Sequence, residues 1–435
     1  MNVVVVGSGG REHAFVDALA RSSGIGRLVA APGNAGMAEQ AECVPIAADD
    51  IEGQVRLAKD IAADLVVVGP EAPLVAGLVD ALEAVGIPAL GPSKEAARIE
   101  GSKAFMKDLC KRARIPTAGS KSFTSSSEAL AYAEMLEAWP TVIKADGLAA
   151  GKGVVIAKDQ QQAISAVRSM MLDKTFGDAG DRIVFEDFLV GEELSVMALV
   201  DGETVAVLEP SRDHKAAFDG DTGPNTGGMG AFSPTRLLTS RTYDQIEERV
   251  LIPVVHAMAR EGRPFRGILY AGLMLTEDGP MVLEFNARGG DPETEVLMPR
   301  LKSDALTLFH GAATGQLAEH ADIEWATEAA CGVVLADGDY PGKVTPGKRI
   351  LGVAAAKERP GVSVYHMGTK EEDGHTVTAG GRVLCVVALG RDLQAAKDLA
   401  YEAAGDISFD GMRLRTDIGW RELTRPATEE LAEAP

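Results

Sequence analysis

Cysteine is scarce and scattered. Cys43, Cys110, Cys331 and Cys385 form no CxxC pair, so neither a zinc site nor a disulfide framework is signalled. Positive charge is short as well. The net charge of −21 argues against a broad nucleic-acid footprint or attachment to an acidic membrane. Anionic small molecules stay open, because they answer to local lysines and arginines. No apolar stretch approaches the ~18 residues of a membrane-spanning helix. No basic segment precedes an apolar core at the amino terminus, and there are no internal repeats or low-complexity tracts. The expected compartment is the cytoplasm, with no membrane or nucleic-acid partner and with a monomer as the default assembly. What is present, 46% hydrophobic and 25% charged residues over 435 positions, is the composition of a globular protein of about three domains.

The amino-terminal third reads as a doubly wound α/β unit. A β-branched run at 2–6 meets Gly7-Ser8-Gly9-Gly10-Arg11-Glu12 and then an apolar-periodic helix, HAFVDALARS. Backbone N–H groups at such a helix entrance suit an anion. A dinucleotide site would need a third glycine where Glu12 stands, and an acid after the second strand, where RLVAAPGN supplies none. Arg11 favours a phosphate ester instead. Asn34 in APGNAG and Glu71 in GPEAPL sit at the carboxyl ends of strands, where open α/β sheets bind ligands. Turn residues chosen for conformation would look the same.

The middle of the chain carries most of the chemistry. Ser102 caps a helix over 102–116, and Lys103 lies in its first turn, where a cation opposes the helix dipole at a cost on the order of 0.3–1 kcal/mol. The stretch 142–156, VIKADGLAAGKGVVI, is not a P-loop: three residues separate Gly147 from Gly151, Gly153 follows Lys152, and a strand leaves it instead of a helix. It is expected to be a hairpin with a glycine-rich tip, rooted at Lys144. A helix at 159–172 precedes a strand ending near Glu186, and FLVGEE then forms an extended linker able to present backbone groups near Phe188 to a purine edge, with Glu193 close by for ribose. The segment 211–234, with Asp213, His214 and Lys215, lacks either hydrophobic period and reads as a structureless binding loop. Residues 267–295 form a hairpin turning at Glu277-Asp278-Gly279. On its second strand Leu283 and Phe285 are expected in one layer, with Glu284 and Asn286 together in the other. Two oxygen ligands completed by phosphate and water suit Mg²⁺. Arg288 follows on the same side, before the turn Gly289-Gly290-Asp291-Pro292.

From about 328 short β runs alternate with turns, and one good helix follows at about 392–403. Gly380-Gly381-Arg382 could reach a phosphate or simply form a turn. The expected division is a doubly wound domain at 1–101 and a second domain at 102–327 with a flap subdomain at about 120–187. A small α+β domain at 328–425 and a frayed tail at 426–435 complete it.

Lys103, Lys144, the flap lysine, the 186–193 linker and the Glu284/Asn286 pair together resemble the ATP-grasp superfamily. In chain order, GSGGREHA, APGNAG, GPEAPL, EGSKAF, KADGLAAGKGV, DHK, DTGPNTGGMGAFSP, GLMLTEDG, EFNARGGDPETE and GGRVLCV resemble the phosphoribosylamine–glycine ligase family over residues 1–425. The resemblance implies ATP-driven joining of glycine to 5-phosphoribosylamine through glycyl phosphate, with Mg²⁺ or Mn²⁺. It implies ATP contacts from Lys103, Lys144, Lys152, Glu186, Phe188 and Glu193, and a metal held by Glu284 and Asn286. The catalytic charges would be Lys144, Lys152 and Arg288. The glycine and phosphoribosylamine side would comprise Gly9, Gly10, Arg11, Asn34, Glu71, Asp213, Lys215, Arg288, Gly290 and Asp291. The chain departs from the family pattern at Gly289, where phenylalanine is usual, at Glu295, where glutamine is usual, and at Ala216, where a basic residue follows DHK. The alternatives are another ATP-grasp carboxylate–amine ligase or carboxylase, a nucleotide-binding module without turnover, and a dinucleotide oxidoreductase.

Overall fold

The computed structural model describes residues 1–148 and 153–425. Lys152 at the flap tip and the tail 426–435 lie outside the described residues. Strands β1 (Asn2–Gly7), β2 (Arg27–Pro32), β3 (Glu42–Cys43), β4 (Leu65–Val68) and β5 (Ala89–Leu90) form a parallel sheet in the order β3-β2-β1-β4-β5. Val3 through Val6 are all fully buried, because helices cover both faces of a parallel sheet. The chain turns at the carboxyl ends of β1, β2 and β4, which brings Arg11, Asn34 and Glu71 to one rim.

The middle of the chain builds two sheets. The first is antiparallel, in the spatial order Ser120–Phe123, Ile183–Asp187, Thr141–Ala145, Val154–Ala157. Its core of Phe123, Ile143, Ala145 and Phe185 packs with Ala129, Ala163 and Val167 of the helices Ser126–Met135 and Gln160–Val167. The expected hairpin is present: Val142 faces Ile156 and Lys144 faces Val154. The second sheet runs Val205–Val207, Glu192–Asp201, Arg266–Thr276, Gly279–Asn286. Phe188 to Gly191 form the linker between the two sheets.

Two expectations are corrected. On Gly279–Asn286 the register slips: Gly272 faces Glu284, but Leu273 faces Val282, so Leu283 is an extra residue. The core positions are therefore Val282 and Phe285, and Leu283 leaves the layer it was expected to share with Phe285. Glu284 and Asn286 lie beyond the bulge and keep a common face. The segment 211–234 is not structureless. Ala216–Phe218 pairs with Thr222–Asn225, and Arg212–Asp213 pairs with Gly230–Ser233. The last two continue into the carboxyl-terminal sheet through Ala329–Asp337, Arg382–Gly390 and Val362–His366. The helix Leu393–Ala404 covers that sheet. The segment is thus a strap sewing the middle of the chain to its carboxyl-terminal part.

Candidate active site

Strand Gly279–Asn286 of the second central sheet meets the first where Lys144 reaches the Leu283 carbonyl. Glu284 and Asn286 make no side-chain hydrogen bond to any described residue. Burial opposes ionisation of Glu284, yet Lys215, Lys144, Lys103 and Arg288 together hold its carboxyl below the usual range. An ionised carboxylate beside an amide oxygen is a hard donor set that fits Mg²⁺. The described residues hold no cluster of three His, Cys, Asp or Glu able to bind an ion unaided, so other ligands must complete the shell.

Each lysine is fixed by its element. Lys144, on the hairpin strand Thr141–Ala145, donates to the Leu283 carbonyl at 3.1 Å, the group displaced by the bulge. It also lies 3.0 Å from Glu186, whose other oxygen is 2.9 Å from Lys107. All three side chains are buried. Ser102 caps the helix Lys103–Ala113, accepting from the Phe105 N–H and donating to the Asp146 carboxylate. Asp146 also accepts the Ala104 N–H at 2.7 Å, and Lys103 donates to the Gly147 carbonyl at 3.1 Å. Helix start and the end of the hairpin strand Thr141–Ala145 are thus laced together. Burial lowers the pKa of Lys103 and of Lys107.

Lys215 pairs with Glu193 at 3.0 Å. Burial first, then Glu293, Glu193 and Glu284, push Asp213 up to about 7 against the pull of Lys215. Glu293 accepts from Ser195 at 3.0 Å, and Ser195 bonds Tyr270 at 2.9 Å. Phe188 stands exposed on the linker. The Arg288 guanidinium is shared by Glu100 at 3.0 Å and Glu71 at 3.4 Å, and donates to the Gly289 carbonyl at 3.0 Å.

A second recess of about 420 Å³ lies between the amino- and carboxyl-terminal domains, with Ser8, Gly9, Gly33, Asp291, Thr369 and Arg382 in its wall. Arg382 is 2.9 Å from Asp291 and also donates to the Gly227 carbonyl at 2.6 Å. Glu12, the residue that breaks the dinucleotide pattern, accepts the Gly9 N–H at 2.6 Å and pairs with Arg11 at 2.6 Å. Arg11 is buried and also donates to the Gly289 carbonyl at 3.1 Å. The Gly10 backbone sits over Glu295, and the Gly290 N–H points to the Met197 sulfur at 3.2 Å. Asn34 has no hydrogen-bonding capacity left. It donates to the carbonyls of Ser8 (2.9 Å) and His366 (2.7 Å) and accepts from Gly36 (2.9 Å) and Met37 (3.0 Å), clamping the two domains.

Sequence reasoning missed Lys107, Glu100 and Glu293. Lys107 lies one helical turn after Lys103, a spacing that could have exposed it. Glu100 and Glu293 gave no signal, because their partners are remote in the chain. At the departures, neighbours fill in. A Cβ at Gly289 would meet Thr294 at 2.6 Å, Phe15 at 3.2 Å and Arg11 at 3.4 Å. The carbonyls of Ala216 and Ala217 accept from Arg415 and Arg413 of the carboxyl-terminal domain.

Three family models match in order: the N domain of phosphoribosylglycinamide synthetase at residues 1–100, its ATP-grasp (A) domain at 101–294, and its C domain at 330–421. A phosphoribosylamine–glycine ligase of Caulobacter vibrioides is 51% identical over 97% of this chain and 99% of its own. One from Halalkalibacterium halodurans is 47% identical over the full length of both. The crystal structure of a phosphoribosylamine–glycine ligase from Thermotoga maritima superposes with a TM-score of 0.81 at 34% identity, over 96% of this chain and 100% of that one. A biotin carboxylase from Campylobacter jejuni, 15% identical over 98% of this chain and 95% of its own, shares the fold with a TM-score of 0.74. Matched through all three of its domains, the chain belongs to the phosphoribosylglycinamide synthetase family of ATP-grasp ligases.

Proposed function

We propose that this enzyme joins glycine to 5-phosphoribosylamine with ATP through glycyl phosphate, giving glycinamide ribonucleotide, ADP and phosphate in de novo purine synthesis. The observation that carries this reading is Glu284 beside Asn286 on one face of Gly279–Asn286, with Lys144 of the hairpin reaching the same strand at the Leu283 carbonyl and the charges of Lys215, Lys144, Lys103 and Arg288 favouring the ionised Glu284 carboxylate. A carboxylate attacking a γ-phosphate brings anion against anion, so catalysis rests on positioning and charge neutralisation. Glu284 and Asn286 would hold Mg²⁺, or Mn²⁺ in its place, and the metal would supply charge neutralisation at the phosphates. Lys103 and Lys144 cover phosphate oxygens, with Lys152 from the flap tip. Glu186, the backbone near Phe188, and Glu193 serve adenosine. Arg288 neutralises the glycine carboxylate. Gly9, Gly10, Arg11, Asn34, Glu71, Asp213, Lys215, Gly290 and Asp291 form the phosphoribosylamine side, with Asn34 acting through the wall it braces. No side chain is assigned as general base, because the attacking amine is itself nucleophilic. Closing the hairpin over the phosphates keeps water from the acyl phosphate. The charge of −21 argues against nucleic-acid or acidic-membrane partners, and the proposed compartment is the cytoplasm.

Phosphate release with Mg²⁺ and ATP tests the reading. It is expected only when glycine and phosphoribosylamine are both present. Release dependent on bicarbonate would overturn the assignment in favour of a carboxylase.

A further inference from the structure

Glu295, at the glutamine position of the family pattern, lies on the helix Glu293–Leu297 and is fully buried. Apart from its own backbone N–H, neither of its carboxylate oxygens has a hydrogen-bond partner among the described residues. Neighbouring buried acids are all engaged: Glu12 with Arg11 and the Gly9 N–H, Glu100 with Arg288 and the Ala287 N–H, Glu293 with Ser195. The cations that act on Glu295, Arg382 and Arg11, are committed to Asp291 and Glu12 respectively. The carboxyl oxygen of Glu295 occupies the space a Cβ on Gly10 would need, and Asp291 Oδ2 lies 3.7 Å from the Cβ position of Gly9. Two carboxylates four residues apart thus rise beneath consecutive glycines of the turn that walls the 420 Å³ recess. Asp291 Oδ1 likewise accepts no hydrogen bond, although Arg382 is 2.9 Å away.

We infer that Glu295 is a positioning residue, carried as the neutral acid and sharing its proton with Asp291, so that the pair presents a single negative charge to Arg382 in the wall of the recess. An ionised carboxylate buried without partners costs several kcal/mol, and taking up a proton removes that cost while creating a donor for Asp291. Burial, reinforced by Asp291, pushes the Glu295 carboxyl well above the usual range, against the weaker pull of Arg382, its own backbone N–H and Arg11. The other titratable groups facing it are Cys385 and Tyr365, both kept neutral by burial. When Glu295 loses its proton to solvent at high pH, a second negative charge competes for Arg382 and repels an anionic ligand. The consequence for substrate rests on reading this recess as the ribose-phosphate side.

Infrared titration of the wild-type protein against Glu295→Gln decides the protonation state. A protonated-carboxyl band present at neutral pH, lost at alkaline pH and missing from the variant is expected; its absence from the wild type overturns the inference. Calorimetric binding of ribose 5-phosphate decides the consequence. Its Kd is expected to rise about tenfold across the same transition in the wild type, the size of a like-charge interaction at roughly 10 Å in a partly screened site. The Kd should stay flat in Glu295→Gln, whose amide has no proton to lose in this range. An equal rise in both proteins overturns the positioning role. The infrared result stands apart from catalysis, so failure of the proposed reaction is distinguishable from failure of this inference.

Discussion

Two lysines, Lys107 and Lys144, meet one carboxylate, Glu186, inside the ATP-grasp domain at 2.9 and 3.0 Å. Buried charges persist only when partnered, and removing one partner leaves the remainder uncompensated. Lys107→Met is therefore expected to lower stability by on the order of 3 kcal/mol, read from urea denaturation. It should also raise KM for ATP, because Glu186 then swings toward Lys144. A midpoint and KM matching the wild type would dismiss the triad. Lys144→Ala and Glu284→Ala should each cut turnover by about 10²–10³-fold while the protein stays folded by circular dichroism, the scale of losing one preorganised charge contact. Near-normal rates in either would sink the phosphate or metal role. Lys144 and Glu186 were legible in the sequence. Glu100, Lys107 and Glu293 were not, since most of their partners lie in distant parts of the chain.

The strand Gly279–Asn286 shows what an element adds to its residues. Alternation alone predicts Leu283 with Phe285, but one inserted residue shifts parity on one side of the slip and leaves the other untouched. A period-two reading cannot see an extra residue, because the partner strand that defines it is elsewhere in the sequence. The bulge frees the Leu283 carbonyl for Lys144 and sets Gly272 opposite Glu284. A Cβ at Gly272 would lie 3.2 Å from the Glu284 side chain and 3.3 Å from Tyr270. Gly272→Val is thus expected to displace the Glu284 carboxylate and raise half-saturating Mg²⁺ several-fold, with a stability loss of about 1–3 kcal/mol. An unchanged Mg²⁺ dependence in a folded variant would remove Glu284 from the metal site.

At the scale of the molecule, three buried histidines lie where the carboxyl-terminal domain docks. The His13 ring accepts the His366 N–H at 2.8 Å, His366 bonds Thr369 at 2.8 Å, and His214 accepts the Gly419 N–H at 3.1 Å. Burial holds His13 and His214 at about 3 and His366 at about 4. Below the ordinary value near 6.5 the unfolded chain takes up protons that the folded chain refuses. Stability is therefore full above ~6.5, falls as pH drops, and each contribution is exhausted at the folded values, with a slope of up to about 1.4 kcal/mol per pH unit per histidine. Tm should fall steeply between pH 6.5 and 4, and His13→Asn, which keeps an acceptor, should flatten that slope. A Tm independent of pH across this window would show that these rings titrate normally.

The three-part order, the doubly wound amino-terminal sheet and the glycine hairpin were readable from the chain alone, because periodicity and turn residues are local, and the family entered through the resemblance of its motifs. Only the tertiary structure decided that 211–234 straps the central domain to the carboxyl-terminal sheet, that Asn34 is saturated, and that Glu295 lies unpartnered beneath Gly10. Those facts depend on hydrogen-bond capacity and burial, which exist only once distant segments of the chain have met.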